Sequence, residues 1–333
     1  MLPRISVFTL ALLCLTLPAS AADNGAGTYT DPAAASKEDP DFALQGEYSG
    51  HLKHKDGEAK VGIQVIALGK GKFRAVGYVG GLPGDGWNKK DKHSAEGQVA
   101  DGAVTFKGDE GIAVLNYEGL TIKSPDGEAV GTLKKVERKS PTLGMAPPQG
   151  AVVLYSKPED AENWNGGKAD EQGLLQQGVT SRETFGSHTL HVEFRLPYMP
   201  TASGQGRGNS GLYLQGRYEV QMLDSFGLEG KQNECGGIYS VAEPDQNMCY
   251  PPLAWQTYDV DYTAAKFGDD GKVVSSPRVT VRHNGVVIHD NVELPADRST
   301  TAAPVKPGAE PGPVYLQNHG NPVRYRNIWV VKK

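Results

Sequence analysis

Residues 187–197, SHTLHVEFRLP, put Leu190, Val192, Phe194 and Leu196 on one phase and His191, Glu193 and Arg195 on the other. Successive side chains of a strand point to opposite faces, so this period commits the segment to a strand with one face in a core. The pattern recurs in VTVRHNGVVIHD, where Asn284-Gly285 joins two β-rich runs and marks a tight hairpin. It recurs again in VYLQNHGNPVRYRNIWVV. Helical signals are confined to short pieces such as residues 157–176. A chain of this kind is expected to be all-β, a sandwich rather than an alternating α/β fold.

The earlier part of the chain is also β-rich but shorter in its periods. AKVGIQVIALG, KFRAVGYVGG, GAVTFKG, AVLNYEG and GTLKKVERK are spaced by glycines, which predicts a small antiparallel β domain over residues 41–140. Within it the loop Gly80–His93 carries a single large aromatic, Trp87, which suits either sugar stacking or packing of its own loop. The aperiodic stretch 137–151 has three prolines. It places a linker at 141–150 and the clearer sandwich at 151–333. Residues 22–40 are small, polar and proline-containing, as a flexible leader would be.

Residues 1–21 have one basic residue, an apolar run from about Val7 to Leu17, and Ala19-Ser20-Ala21. That layout predicts a signal peptide cut near Ala21 and an exported protein, periplasmic or extracellular. The apolar run is too short to span a bilayer, and no later segment is long and apolar enough. Export leaves Cys235 and Cys249, an even number in an oxidising compartment, for which a disulfide is expected. A formal charge of -5 makes nucleic acid and anionic membrane surfaces poor partners. Oligomeric state is open.

The run Tyr218-Glu219-Val220-Gln221-Met222-Leu223-Asp224 puts unusual polarity in a strand. Glu219 and Gln221 share a face, and a β-bulge would be needed to bring Asp224 round to it. The row looks like the E-x-D-x-x-E strand of laminarinase-type β-glucanases, which are jelly rolls with a concave active sheet. Here Gln221 replaces the middle acid and Asp224 is a methylene shorter than Glu. Both changes count against hydrolysis by a carboxylate pair, which needs a set separation.

A wider resemblance covers about residues 150–332. HVEFRLP, GRGNSGLYLQGRYEVQMLDSFG, CGGIY, PPLAWQTYDVDY, VTVRHNGVVIHD and YLQNHGNPVRYRNIWV occur in the order found in the 3-keto-disaccharide hydrolase domain family. The resemblance implies a concanavalin-like jelly-roll β-sandwich and sugars oxidised at C3 as substrates. The GGLPGDGW loop lies outside that domain but is similar to the extra domain of some exported bacterial members. A C3 ketone acidifies the C2 hydrogen, so the C1 bond can break by elimination followed by addition of water. Such a site needs one base, a group for the O3 oxyanion and a proton donor. Glu219 is the expected base with Asp224 as competitor, and His319 the proton-transfer group. Arg195, Gln221, Gln317 and Trp255 are expected to bind substrate. No cofactor signature is present; a divalent metal on His191, Glu219, Asp224 and His319 stays open, since the donors suit one but their spacing does not specify it. A lectin-like binding module and an endo-β-glucanase using Glu219 and Asp224 are the rival readings.

Overall fold

The computed structural model describes residues 27–54, 57–108 and 111–333. The signal segment, its cleavage point near Ala21 and the first residues of the expected leader lie outside the described residues. What is described of the leader is folded. Asp31 and Asp39 each cap a short helix, Pro32–Glu38 (α1) and Pro40–Leu44 (α2), with proline in the first turn. Proline has the helical φ and needs no amide partner there, so each Asp-Pro pair starts a helix. Ala35 is fully buried, and Tyr198 donates a hydrogen bond to Asp39.

Eight antiparallel strands follow: Gly46–His54 (β1), Gly57–Gly69 (β2), Lys72–Val79 (β3), Lys92–Ala100 (β4), Ala103–Gly108 (β5), Gly111–Asn116 (β6), Gly119–Lys123 (β7) and Ala129–Val136 (β8). Each pairs with the next, and β1 pairs with β8, so the sheet closes into a barrel. Tyr48, Val65, Phe73, Phe106, Leu115, Leu120 and Leu133 fill it. Trp87 packs edge-on against Tyr78, 5.1 Å between ring centres, and its indole N–H donates to Asp91; it serves its own loop.

The rest is a two-sheet sandwich. In chain order its strands are Val152–Tyr155 (β9), Trp164–Asn165 (β10), Leu175–Gln176 (β11), Val179–Phe185 (β12), His188–Arg195 (β13), Ser210–Leu214 (β14) and Tyr218–Met222 (β15). Then come Trp255–Thr263 (β16), Lys266–Phe267 (β17), Val273–Ser275 (β18), Arg278–His283 (β19), Val286–Glu293 (β20), Gly312–Leu316 (β21) and Arg324–Lys332 (β22). One sheet runs β10-β12-β21-β14-β15; the other runs β11-β22-β13-β16-β19-β20, with β9 also on β22, while β17 and β18 pair only with each other. Leu190, Val192 and Phe194 of β13 meet Leu212, Leu214, Val220, Met222 and Leu316 of the facing sheet in one apolar core. This is the jelly-roll type of all-β fold. The β19–β20 turn is Asn284-Gly285, both with positive φ (51° and 80°), as a primed hairpin turn requires.

The expected disulfide is not formed. Cys235 and Cys249 are free thiols within this core, 0% and 1% exposed. Cys235 Sγ lies 3.3 Å from the Tyr258 hydroxyl, and Cys249 Sγ donates to the Leu223 and Tyr250 carbonyls at 3.6 and 3.5 Å. Cysteine count and compartment say nothing about this packing, in which each residue acts as a small core hydrophobe.

Candidate active site

A gap at Gly211 organises the outer face of the five-stranded sheet. In the β14–β15 hairpin Tyr213 lies opposite Glu219 and Gly211 opposite Gln221. Tyr315 of β21 lies opposite Tyr213, and Gln317 continues that phase with its N–H on the Gly211 carbonyl at 2.9 Å. Opposed residues share a face, so these side chains stand together, on the side away from the core. A Cβ on residue 211 would come within 2.2 Å of Glu219 Oε1. The absent side chain is therefore what lets Glu219 lean across β14. Gln215 and Gly216, with φ of 52° and 64°, make the turn that sets this register.

Glu219 is 3% exposed. Burial pushes its carboxyl up to about 7, opposed only by a hydrogen bond from Tyr213. Tyr213 also donates to the Thr301 carbonyl at 3.0 Å and accepts from Gln317 Nε2 at 3.1 Å. On the other flank Gln205 Oε1 accepts from Gln221 Nε2 at 3.3 Å and Asn209 Nδ2 at 3.1 Å. The free edge of β15 is closed by Gly236, Gly237 and Tyr239, and by Thr300, whose Oγ1 accepts from the Glu219 N–H at 3.0 Å.

Asp224 does not join this face. The β14–β15 ladder is regular to Met222, so the bulge required to turn it does not occur. Asp224 instead accepts from Arg207 Nε at 2.6 Å in a buried ion pair. Arg195 and Trp255 belong to the other sheet, whose outer face is on the far side of the sandwich. Arg195 donates to Gln172 at 2.8 Å and stacks 5.0 Å from the Trp255 ring centre, with Arg326 at 4.0 Å. Their strand phases were legible, but not which sheet each strand joins. His319 is exposed on the loop two residues past Gln317. His191 bonds Asp259 at 2.6 Å on the far sheet. The four residues considered as metal ligands are thus dispersed, and among the described residues no group of three His, Cys, Asp or Glu is placed to hold an ion.

Gln221 and Gln317 are brought beside Glu219. Asn209, Gly211 and Tyr213 join them and were missed by sequence reasoning. Their signal was present: positions 209, 211 and 213 keep one strand phase, and a turn at Gln215-Gly216 brings that phase opposite 219 and 221.

A profile of the 3-keto-alpha-glucoside-1,2-lyase-like domain matches residues 154–331, which is the sandwich without the barrel. Among solved structures, a provisionally assigned glycosyl hydrolase from Parabacteroides distasonis is 33% identical, covering 56% of this chain and 85% of that one with a TM-score of 0.50. Another from the same organism is 18% identical, covering 55% of this chain and 99% of that one with a TM-score of 0.38. No curated protein matches the chain.

Proposed function

The chain belongs to the 3-keto-alpha-glucoside-1,2-lyase-like domain family, a carbohydrate-active, glycosyl hydrolase-like group, and on that premise we propose that it cleaves 3-keto-disaccharides or 3-keto-glycosides by elimination and hydration. Glu219 takes the C2 proton, the enolate expels the C1 oxygen, and the departing oxygen is protonated, for which His319 is our candidate donor. Water then adds its hydroxyl to C1 and a proton returns to C2, so the overall change is hydrolysis.

One observation carries this reading: Glu219 is a buried carboxyl raised by desolvation, with no second carboxylate acting on it. Hydrolysis by direct displacement at C1 uses two carboxyls about 5–5.5 Å or 6.5–9.5 Å apart, and Asp224 is engaged by Arg207 instead. A lone base with a pKa near working pH suits proton abstraction beside a ketone. Export after cleavage near Ala21 is part of the same proposal and would place the enzyme where oligosaccharides arrive.

Substrate carrying deuterium at C2 of the oxidised ring separates the routes. We expect 3-keto-trehalose or 3-keto-cellobiose to lose that label to water during turnover, above the exchange of substrate without enzyme, and the unoxidised parents to be inert. Complete retention of the label in the released 3-keto-monosaccharide would sink elimination.

A further inference from the structure

We propose that Asn209, Gln221 and Gln317 form a cradle of unpaired acceptors beside Glu219 that reads free hydroxyl groups on the ring being cleaved and so sets which rings the site admits. The inference rests on the sugar substrate proposed above and adds the polarity of its recognition. That polarity is propagated from two backbone carbonyls. The Asn233 carbonyl can only accept, so Gln205 turns its amide nitrogen to it at 2.9 Å and its Oε1 to Asn209 and Gln221. Those two amides must then present nitrogen to Gln205; Asn209 also gives its nitrogen to the Gln205 carbonyl at 2.8 Å. The Thr301 carbonyl likewise draws the Tyr213 proton, leaving the phenol oxygen to accept from Gln317. The phenol has a single proton, so sharing it with Glu219 changes nothing toward Gln317.

Each of the three amides therefore has its nitrogen turned to a protein acceptor and its oxygen left free. Asn209 Oδ1, Gln221 Oε1 and Gln317 Oε1 are buried without a hydrogen-bond partner. Their residues are only 1%, 1% and 8% exposed. Buried acceptors left unpaired are costly, and native structures leave few of them. No fully buried unpaired nitrogen lies among them: those of the described residues, Arg74 Nε, His188 Nε2, Arg195 Nε and His283 Nδ1, lie in the barrel or the seven-stranded sheet. A ligand hydroxyl that donates satisfies these three oxygens, and a carboxylate or sulfate meets lone pairs at each of them. A hard cation is the poorer fit here, because calcium-type sites gather several carboxylates and no second one acts on Glu219.

The test compares 3-keto-cellobiose with analogues of its oxidised ring that are 4-deoxy, 6-deoxy or oxidised to the C6 carboxylate, for wild type, Gln221→Met and Gln317→Met. Wild type is expected to lose at least about 100-fold in kcat/KM with one deoxy analogue and with the carboxylate, since a site built around a hydroxyl rejects the ring lacking it. One of the two methionine variants should show less than about a threefold penalty for that same deoxy ring, because its acceptor is already gone. Equal turnover of all four rings by wild type overturns the cradle, and so does a deoxy penalty undiminished in both variants. The wild-type comparison stands even if a variant does not fold. Binding of methyl glucoside and its deoxy analogues, followed by protein NMR, isolates the premise. Discrimination of the hydroxyl by wild type without turnover of any 3-keto sugar keeps the cradle and sinks the reaction. Turnover with no discrimination does the reverse.

Discussion

Glu219 works against the stability of its own fold. Unfolded, its carboxyl sheds its proton near 4.5; folded, burial delays that to about 7. Between those values the folded chain holds a proton that the unfolded chain has lost, so stability falls as pH rises through the window. The gap corresponds to about 3 kcal/mol once both states are ionised. Glu219→Gln keeps the shape and removes the ionisation. Denaturant melts at pH 5 and pH 8 should show the variant gaining about 3 kcal/mol on wild type at the higher pH. The same change should lower kcat/KM by about 100- to 10,000-fold, as loss of a general base does. Wild-type kcat/KM should rise through about pH 7 as the base ionises. A wild-type-to-variant stability difference that ignores pH would show that Glu219 does not carry the proton inferred for it. The sequence singled Glu219 out as the expected base, but not its burial, which depends on Gly211 and on the strands beside it.

At the scale of elements, the segment expected as a linker is in part a strap. Ser140 and Thr142 bond Thr257 of β16, Thr142 donates to Asp259 at 2.6 Å, and the Gly144 N–H donates to Glu193. Asn327 and Trp329 of β22 donate to the Met145 carbonyl. The outer face of β13, polar by its alternation, is thereby buried, with His191 and Glu193 each 0% exposed. Alternation reports which side chains share a face, but not what another segment lays over it. The strap's prolines and lack of periodicity hide its role, because its bonds run to residues far along the chain. Asp-Pro twice in the leader was a legible helix start that low hydrophobicity masked. Burial opposes ionisation of Glu193, yet His191, Asn327, Arg326 and the Gly144 N–H together hold its carboxyl down to about 2. A depressed carboxyl stabilises the fold above its unfolded value of 4.5 and loses that contribution as pH falls toward 2. Glu193→Gln should therefore cost about 3 kcal/mol at pH 7 and flatten the acid limb of the stability curve. Hydrogen exchange at the Gly144 amide should quicken in the same variant. An unchanged acid limb would remove the strap's ionic anchor from the account.

Across the whole molecule, the barrel and sandwich look separable in sequence and are joined in structure beside the candidate site. Ile66, Val76 and Tyr78 on the barrel pack with Phe226, which follows the site strand by four residues. Gly227, with φ of 75°, has no room for a side chain, since a Cβ there would lie 2.4 Å from Ile66 Cδ1. Arg207 ties the same junction. It donates to Asp224, to the Ala67 carbonyl of β2 from both terminal nitrogens at 3.3 Å, and to the Pro200 carbonyl at 3.2 Å. Two residues on, Asn209 joins the candidate site through Gln205. The apolar contact excludes water from the ion pair, and the ion pair would be left with a buried, uncompensated charge if the two units parted. That coupling predicts one cooperative thermal transition for the intact protein, although two cores of this size can each melt alone. Phe226→Ala should lose about 3–5 kcal/mol and split the melt in two by calorimetry. Arg207→Met, which strands Asp224, should cost a similar amount, and pairing it with Asp224→Leu should restore most of the loss, because removing both charges leaves nothing unpaired. Proteolytic nicking within the exposed residues 146–150 should then leave the two fragments travelling together on gel filtration. Two transitions in the unmutated protein, or separation of the fragments after nicking, would make the barrel an independent module rather than part of the scaffold that positions the site.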